Sequence, residues 1–455
     1  MRQPKIPPSF GKLLSEEVAS NSDFLSRQSD PAVRELVERA NNFGWNWEEC
    51  SNRSHLVKLT ARQLWVLVKI SRGSDRRPIP FVDKFERQFS YRLPPAAHRI
   101  LHLIDTHLGG TVGATIPQLA SPDDQKLYLL RSLREEAISS SLIEGAVATR
   151  QVAKEMLRAG RAPRTPGEHM IANNFRTVRK LNERRDEPLT PELLCEVQQS
   201  LTANTLEAPD GGGRFRRPDE NIAVWDEEDG EPLHIPPPAA ELPRRIEQMC
   251  AFANARTADA DPADFIHPAI RAVILHFWLA YDHPFVDGNG RTARALFYWS
   301  MLRSGYWLAE YLTISTVING QPKQYARAYL DTERDDNDLT YFVLYHLGVI
   351  ERSLAEFRDY LEKKTRDQRE VVAVLAGPFN ARQRDVLRQA LRNPVAQFTY
   401  TSHAGTHGVT LATARTDLLH LERLGLLKGN RVGRRFVFTP AAGLDERLRK
   451  VGGRR

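Results

Sequence analysis

The spacing of apolar residues predicts two helices on either side of a short polar stretch near residue 285. Across residues 267–282 and again across residues 291–303, apolar side chains recur every three or four positions, as they do on one face of an α-helix. Pro284 disfavours helical backbone at His283, so the chain is expected to break there. The pattern therefore predicts a helix, a loop and a second helix.

Similar spacing elsewhere predicts a mainly α protein with few strands. Helical patterns occupy residues 30–40, 60–70 and about 123–145, and a long one spans residues 339–366. Two short strand-like segments, residues 213–217 and 221–225, flank a Pro-Asp-Glu turn and predict a β-hairpin over residues 213–226. Residues 1–92 are expected to be a helical region, to which no chemistry can be assigned.

The C-terminal residues 376–455 have a pattern of their own. Three helical segments precede a basic hairpin and a short strand, an order that resembles a winged helix-turn-helix domain. In that family the third helix enters the DNA major groove and the wing contacts phosphates. The resemblance implies that DNA is contacted by Arg415, Arg431, Arg434 and Arg435. A role in protein interaction or dimerisation stays open.

The charge distribution agrees with a nucleic-acid-binding C-terminal part. The 455-residue chain has a net charge of +7, yet residues 371–455 hold 15 Lys and Arg against 5 Asp and Glu. The preceding 370 residues therefore sum to −3. The basic character of the protein belongs to its C-terminal part.

Composition predicts a cytoplasmic protein of two or three domains. Hydrophobic residues make up 41% of the chain, but no uninterrupted apolar run approaches the roughly 18–20 residues that cross a bilayer. The N-terminus lacks the apolar segment of a signal peptide, and the three cysteines are dispersed, as in a reducing compartment. His403 and His407 are four residues apart without companion ligands, so they are expected to be surface residues and not zinc ligands.

Residues 283–294 carry the strongest chemical signal. They read His-Pro-Phe-Val-Asp-Gly-Asn-Gly-Arg-Thr-Ala-Arg and end on the first turn of the second predicted helix. A histidine there can accept a proton, an aspartate can bind Mg²⁺, and glycines at a helix N-terminus leave main-chain N–H groups free for phosphate. The stretch thus holds the groups needed to bind a nucleoside triphosphate and activate a hydroxyl against it.

The stretch resembles the signature of the Fic family, His-Pro-Phe-x-Asp/Glu-Gly-Asn-Gly-Arg-x-x-Arg, at every fixed position. The resemblance implies a Fic-type helical bundle over residues 93–370 and a protein adenylyltransferase that uses ATP and Mg²⁺. It implies His283 as general base, Phe285 as core anchor and Asp287 as Mg²⁺ ligand. It further implies phosphate contacts by Gly288, Asn289, Gly290, Arg291 and, at the γ-phosphate, Arg294.

A second segment, Ser-Ser-Leu-Ile-Glu-Gly at residues 140–145, resembles the inhibitory motif of the same family. Ser140 and Glu144 are four residues apart and share one helical face, and Gly145 is suited to end the helix. The resemblance implies that Glu144 pairs with Arg294 and blocks the γ-phosphate position. It also implies that the predicted hairpin is a flap that holds the target segment as an added strand.

The expected partners are ATP, a target protein whose Ser, Thr or Tyr hydroxyl is modified, the protein itself as a further target, and DNA. A homodimer is expected from similar proteins, and no membrane partner is expected. Two alternatives stay open. The chain could be a DNA-binding regulator whose Fic core senses nucleotide, or a Fic enzyme that uses another nucleotide donor or removes AMP.

Overall fold

The computed structural model describes residues 3–109, 122–226, 230–255, 261, 264–375, 379–393, 395–432 and 435–452. Contacts divide the chain into two compact units, Met1–Phe357 and Arg358–Arg455. Helices dominate both units and each sheet has two strands, so the predicted mainly α class is confirmed. Within the described residues, none of the helices combines the length and apolar character that a membrane crossing requires.

The first unit begins with a small helical region and a β-hairpin. Its elements are α1 (Phe10–Ser20), α2 (Asp23–Ser26), α3 (Pro31–Asn42), α4 (Trp47–Ser51), α5 (Ala61–Gly73), β1 (Arg77–Val82) and β2 (Gln88–Tyr91). α3 and α5 confirm the helices predicted near residues 30–40 and 60–70. α5 begins with a capping box, in which Thr60 and Gln63 satisfy each other's main-chain N–H groups.

The helices between the hairpin and the candidate site form the body of the unit. They are α6 (Pro95–Leu108), α7 (Pro122–Ile143), α8 (Arg150–Ala159), α9 (Pro166–Glu183), α10 (Pro191–Thr202) and α11 (Leu242–Asn254). α7 confirms the helix predicted at about residues 123–145. Several of these helices start with threonine at the N-cap, followed by proline at the first helical position in α9 and α10.

Two central helices follow, α12 (Pro268–Asp282) and α13 (Asn289–Arg303), as the apolar spacing predicts. Nearly all of their side chains are buried, which is typical of helices at the centre of a core and not of amphipathic surface helices. α12 is capped by His267, whose side chain accepts the main-chain N–H of Ala269. The six-residue loop between them carries His283.

The unit is completed by α14 (Ile314–Asn319), α15 (Pro322–Arg334) and the start of α16 (Thr340–Leu375). The loop between α15 and α16 holds the N-terminal region in place. Buried Lys69 of α5 lies 2.7 Å from Asp335, and buried Arg72 donates to the Tyr341 hydroxyl at 2.7 Å. α5 therefore packs directly on the segment that follows α15.

The prediction of a hairpin over residues 213–226 is wrong in its position along the chain. β3 (Val224–Trp225) pairs antiparallel with β4 (Pro232–His234), and residues 213–217 form no strand. The main chain of Arg216 bonds instead to Pro284 O in the loop after α12, at 2.8 Å. The hairpin lies later in the chain because the hydrogen bond from residue 216 to that loop outweighs the weak strand propensity of residues 213–217.

The second unit contains α17 (Ala381–Arg392), α18 (Tyr400–His407), α19 (Leu411–Arg423), β5 (Leu427–Val432), β6 (Arg435–Pro440) and α20 (Leu444–Gly452). The predicted order of three helices and a hairpin is present, and β5 pairs antiparallel with β6. Its assignment as a winged helix stays a prediction. One expectation is wrong: His403 is buried, with Nε2 3.2 Å from Asp417 Oδ2, because α18 and α19 enclose it.

Of the four arginines predicted to contact DNA, the structure describes the exposure of two. Arg415 on α19 and Arg431 on β5 are exposed. Arg434 lies outside the described residues, and Arg435 begins β6.

Candidate active site

His283 is the first residue after α12 and takes a left-handed conformation, with φ of 45°. Its main-chain N–H still donates to Leu279 O, and its Nδ1 lies 3.1 Å from Ala280 O. A carbonyl oxygen can only accept, so Nδ1 carries the hydrogen and Nε2 keeps its lone pair. Burial lowers the pKa of His283 to about 4, so the imidazole is neutral at pH 7 and Nε2 can accept a proton.

Buried charges fix the end of α12 from which His283 projects. Asp282 is fully buried, bonds Arg245 through Oδ1 at 2.8 Å and accepts the Trp278 Nε1–H at 2.9 Å. Arg216 donates through Nε to His283 O at 2.8 Å. Burial raises the pKa of Asp282 to about 6 although Arg245 opposes this effect. These positioning contacts join distant parts of the sequence, and no local motif announced them.

Asn289 closes the loop upon itself. Its Oδ1 accepts the Phe285 N–H at 2.9 Å and its Nδ2 donates to Phe285 O at 2.8 Å. Phe285 is fully buried, as expected of a core anchor, and its ring stacks 5.4 Å from that of Phe215. Because the Asn289 side chain is occupied within the loop, only main-chain groups of residues 288–290 remain to hold an anion.

The two glycines of the loop meet different needs. Gly288 is the N-cap of α13 and has φ of 84°, a conformation that favours glycine. At Gly290 a Cβ atom would lie 2.2 Å from Glu144 Oε1. The carboxylate of Glu144 therefore lies directly over the main chain of the first turn of α13, where the helix dipole favours negative charge.

Arg291 is held in a direction of its own. It is fully buried, donates through Nη1 to Leu201 O at 3.1 Å, and lies 3.0 Å from Asp287 Oδ2 through Nη2. The Asp287 side chain is 46% exposed, so its carboxylate remains accessible from solvent. The predicted roles of Asp287 and Arg291 stay predictions, but the two side chains are adjacent.

Arg294 is bound to the segment that ends α7. It donates through Nε to Ser140 Oγ and through Nη2 to Ser140 O, both at 2.8 Å, and Nη2 lies 3.0 Å from Glu144 Oε1. Gly145, with φ of 81°, turns the chain after the helix. The Glu144–Arg294 contact expected from the motif is present. Although burial lowers the pKa of Arg294, Glu144 and its other neighbours raise it overall.

Glu144, His283 and Gly290 line one cavity of about 220 Å³. The hairpin and α15 line it as well, through residues that include Val224, Leu233, His234, Tyr325 and Tyr329. The structure thus brings the two sequence motifs to a single partly apolar cavity.

His234, which the sequence patterns did not identify, pins the hairpin at this cavity. Its Nε2 lies 2.7 Å from Tyr281 O on α12, and its Nδ1 lies 2.9 Å from Glu333 Oε2 on α15. Burial alone would lower the pKa of His234, but Glu333 raises it overall. A single histidine between apolar residues carries no sequence signal for such a role.

Comparison with known proteins agrees with the motif. Residues 188–301 match the model of the Fic/DOC family. The chain is 30% identical over 177 residues to a protein adenylyltransferase Fic of Nematostella vectensis, covering 37% of each protein. It is 33% identical over 98 residues to the protein of the same name of Drosophila melanogaster, covering 22% of this chain and 17% of the relative.

Among solved structures, the chain matches a Fic family protein from Desulfovibrio desulfuricans G20 with a TM-score of 0.49 and 19% identity. That match covers 75% of this chain and 95% of the other. A second is Fic-1 (residues 134–508) from C. elegans, with a TM-score of 0.45, 17% identity, and coverage of 77% and 99%.

Residues 188–301 therefore match the Fic/DOC family, and the resemblance seen in residues 283–294 is confirmed. All of residues 283–294 lie within the matched region, whereas the segment around Glu144 precedes that region. The chain spans 37% of the length of the Nematostella relative, so what it does as a whole protein is a matter for proposal.

Proposed function

We propose that the protein is an adenylyltransferase that moves AMP from ATP to a Ser, Thr or Tyr hydroxyl of a target protein. The observation that carries this proposal is the neutral His283, with Nε2 free to accept a proton, in one cavity with the first turn of α13. The naming of its relatives as protein adenylyltransferases supports it.

In the proposed reaction the target hydroxyl oxygen attacks the α-phosphorus of ATP. The hydroxyl proton moves to His283 Nε2, the bond from the α-phosphorus to the bridging oxygen breaks, and pyrophosphate leaves. The reaction depends mainly on positioning and on stabilising negative charge. The main-chain N–H groups at the start of α13 and the Arg294 guanidinium supply that stabilisation.

Asp287 is suited to hold Mg²⁺ beside the phosphates. Its carboxylate is about half exposed and lies next to the N-terminus of α13. Mg²⁺ in nucleotide sites is usually held by one or two carboxylates together with phosphate oxygens and water, so one accessible carboxylate fits. When bound, the ion would neutralise charge on the phosphates. Arg291 then orients Asp287 through their 3.0 Å ion pair.

Glu144 restrains the enzyme in this proposal. Its carboxylate lies against Gly290 and Arg294, the two groups that the terminal phosphate of ATP needs. Two negative groups cannot share that position without strong repulsion. ATP would be excluded, or held in a pose that turns its α-phosphorus away from the hydroxyl.

The hairpin β3–β4 is the proposed flap for the target segment. It borders the same cavity through Val224 and Leu233, and Trp225 is 57% exposed. An extended segment added along its edge would bring a hydroxyl toward His283 through main-chain hydrogen bonds.

The test uses the Glu144→Gly variant, in which the proposed restraint is removed, together with Mg²⁺ and ATP that is labelled at either the α- or the γ-phosphate. AMP transfer puts α-label on protein and leaves γ-label in pyrophosphate. Label from the γ-position alone would mean phosphoryl transfer and contradict the proposal. Label from neither, in the presence of measurable ATP binding, would favour another nucleotide donor, removal of AMP or a nucleotide-sensing regulator.

We also propose that the second unit binds DNA, because Arg415 and Arg431 are exposed on α19 and β5 of a strongly basic segment. The full-length protein should shift a DNA fragment, and the shift should weaken steeply with salt. Arg415→Ala and Arg431→Ala should reduce it. An unchanged shift in both variants would remove this role from the two arginines.

A further inference from the structure

A second cavity, of about 760 Å³, opens at the other end of α12 from His283. Arg271 on the first turn of α12 lines it, together with Arg76 and Arg77 at the start of β1. At 1.5 Å per residue, Arg271 lies about 18 Å along the helix direction from His283. The cavity is therefore separate from the candidate active site.

Among the residues that the structure describes, buried Arg271 has no carboxylate partner. It is 5% exposed, donates through Nη1 to Phe252 O at 2.6 Å, and stacks 4.9 Å from the Phe252 ring. Its Nε has no hydrogen-bond partner. Burial lowers the pKa of Arg271, and Tyr91 opposes this effect only in part. A buried donor of this kind costs free energy unless something satisfies it.

The surroundings of Arg271 add positive charge instead of relieving it. Within the part of the chain that the structure describes, neither Arg77 nor Arg271 forms an ion pair with a carboxylate. Arg76 Nη2 lies 3.5 Å from Asp338 Oδ2 without a hydrogen bond. The first turn of α12 has no acidic residue, although the positive end of the helix dipole favours one. Among the described residues that line the cavity, exposed Asp264 is the one with an acidic side chain.

The remaining walls are apolar or aromatic. Tyr91 and Phe265 line the cavity, and Phe265 is 40% exposed. Three guanidinium groups at a helix N-terminus suit a phosphate dianion, and the adjoining rings suit a flat or apolar group attached to it.

We propose that this cavity binds an organic phosphomonoester, with its phosphate at Arg271, Arg77 and Arg76 and its organic part against Tyr91 and Phe265. The site is independent of the proposed transfer reaction and uses none of its residues. Phosphate contacts come from buried Arg271, which is already in place, and from Arg77, which is exposed.

The test is titration calorimetry of the full-length protein with phenyl phosphate, inorganic phosphate and benzyl alcohol. Phenyl phosphate should bind saturably, inorganic phosphate more weakly, and benzyl alcohol not at all. Arg77→Gln and Arg271→Gln should each weaken phenyl phosphate binding about tenfold or more, since each removes a charge-assisted contact. Because Arg77 is exposed, the Arg77→Gln variant should fold and can test the proposal even if the variant of buried Arg271 fails to fold.

Two variants serve as controls. Arg179→Gln removes an exposed arginine elsewhere on the unit, and His283→Ala alters the candidate active site; both should bind phenyl phosphate as the wild type does. The proposal is overturned by the absence of saturable phosphate or phenyl phosphate binding, by unchanged affinity in Arg77→Gln, or by loss of affinity in His283→Ala. Tighter binding of free phosphate than of phenyl phosphate would contradict the organic part of the ligand.

Discussion

Replacing Glu144 by alanine should lower the unfolding free energy of the ATP-free protein and raise its affinity for ATP. The change removes the 3.0 Å contact to Arg294, which is 1% exposed, while the Glu144 side chain is 24% exposed. Arg294 keeps its two bonds to Ser140, so the 3–5 kcal/mol loss of a fully broken buried pair does not apply. The loss of one charge-assisted bond corresponds to about 1.5–3 kcal/mol of unfolding free energy.

The same contact sets the expected gain for ATP. If the terminal phosphate takes the place of the carboxylate, ATP should bind the variant about 10- to 150-fold more tightly, the factor equivalent to 1.5–3 kcal/mol. A ligand that binds only the folded state stabilises it by RT ln(1 + [L]/Kd). Urea unfolding should therefore show that Glu144→Ala has a lower unfolding free energy than wild type without ATP. With ATP and Mg²⁺, the unfolding free energy of the variant should increase by more than that of wild type.

The control for this prediction is Glu183→Ala, which removes an exposed ion pair with Arg179. Exposed pairs on helices contribute about 0.3–0.5 kcal/mol, so its stability and ATP increment should hardly change. The reasoning would be refuted if Glu144→Ala unfolded at the same urea concentration as wild type and gained no more from ATP.

Three further predictions concern the fold around the site. Gly290→Ala should cost about 1–3 kcal/mol because the added Cβ displaces the Glu144 carboxylate and so breaks its contact with Arg294. Most of that cost should vanish in the double variant with Glu144→Gly, and additive losses in urea unfolding would contradict this. Asp335→Asn should cost about 1.5–3 kcal/mol because the buried lysine of α5 loses its closest charged partner but keeps Asp336 at 3.0 Å, whereas Asp336→Asn, at a 52% exposed side chain, should cost under about 1 kcal/mol. The pKa of His283 in the folded protein lies below its ordinary value, so the unfolded chain binds more protons between about pH 4 and 6.5, and the unfolding free energy rises with pH in that range. Lowering the pH from 7 to 5 should therefore cost the wild type about 2 kcal/mol more than it costs His283→Ala. Equal losses in the two proteins would disprove the pKa shift.

The parts of the site that are local in sequence could be predicted from the sequence. The break after α12 follows from Pro284, and the start of α13 follows from the glycines beside Asn289, because backbone preferences act over a few residues. The pairing of Glu144 with Arg294 joins residues 150 positions apart, and it came from family resemblance and not from spacing.

The contacts that the sequence did not reveal depend on tertiary packing. Arg216 reaches His283 O across 67 residues, and Arg245 reaches Asp282 across 37. Neither arginine differs in its local sequence from a solvated one. The hairpin was misplaced because strands of two and three residues carry no alternation to recognise, and the position of β4 depends on His234 contacting α12 and α15.

The most direct test of the central proposal is transfer of α-labelled ATP to protein, with Mg²⁺, by three forms: wild type, Glu144→Gly, and Glu144→Gly with His283→Ala. The proposal predicts little label with wild type, strong label with the single variant, and none above background with the double variant. Label that persists without His283 would contradict its role as the base. Equal label with wild type and Glu144→Gly would contradict restraint by Glu144.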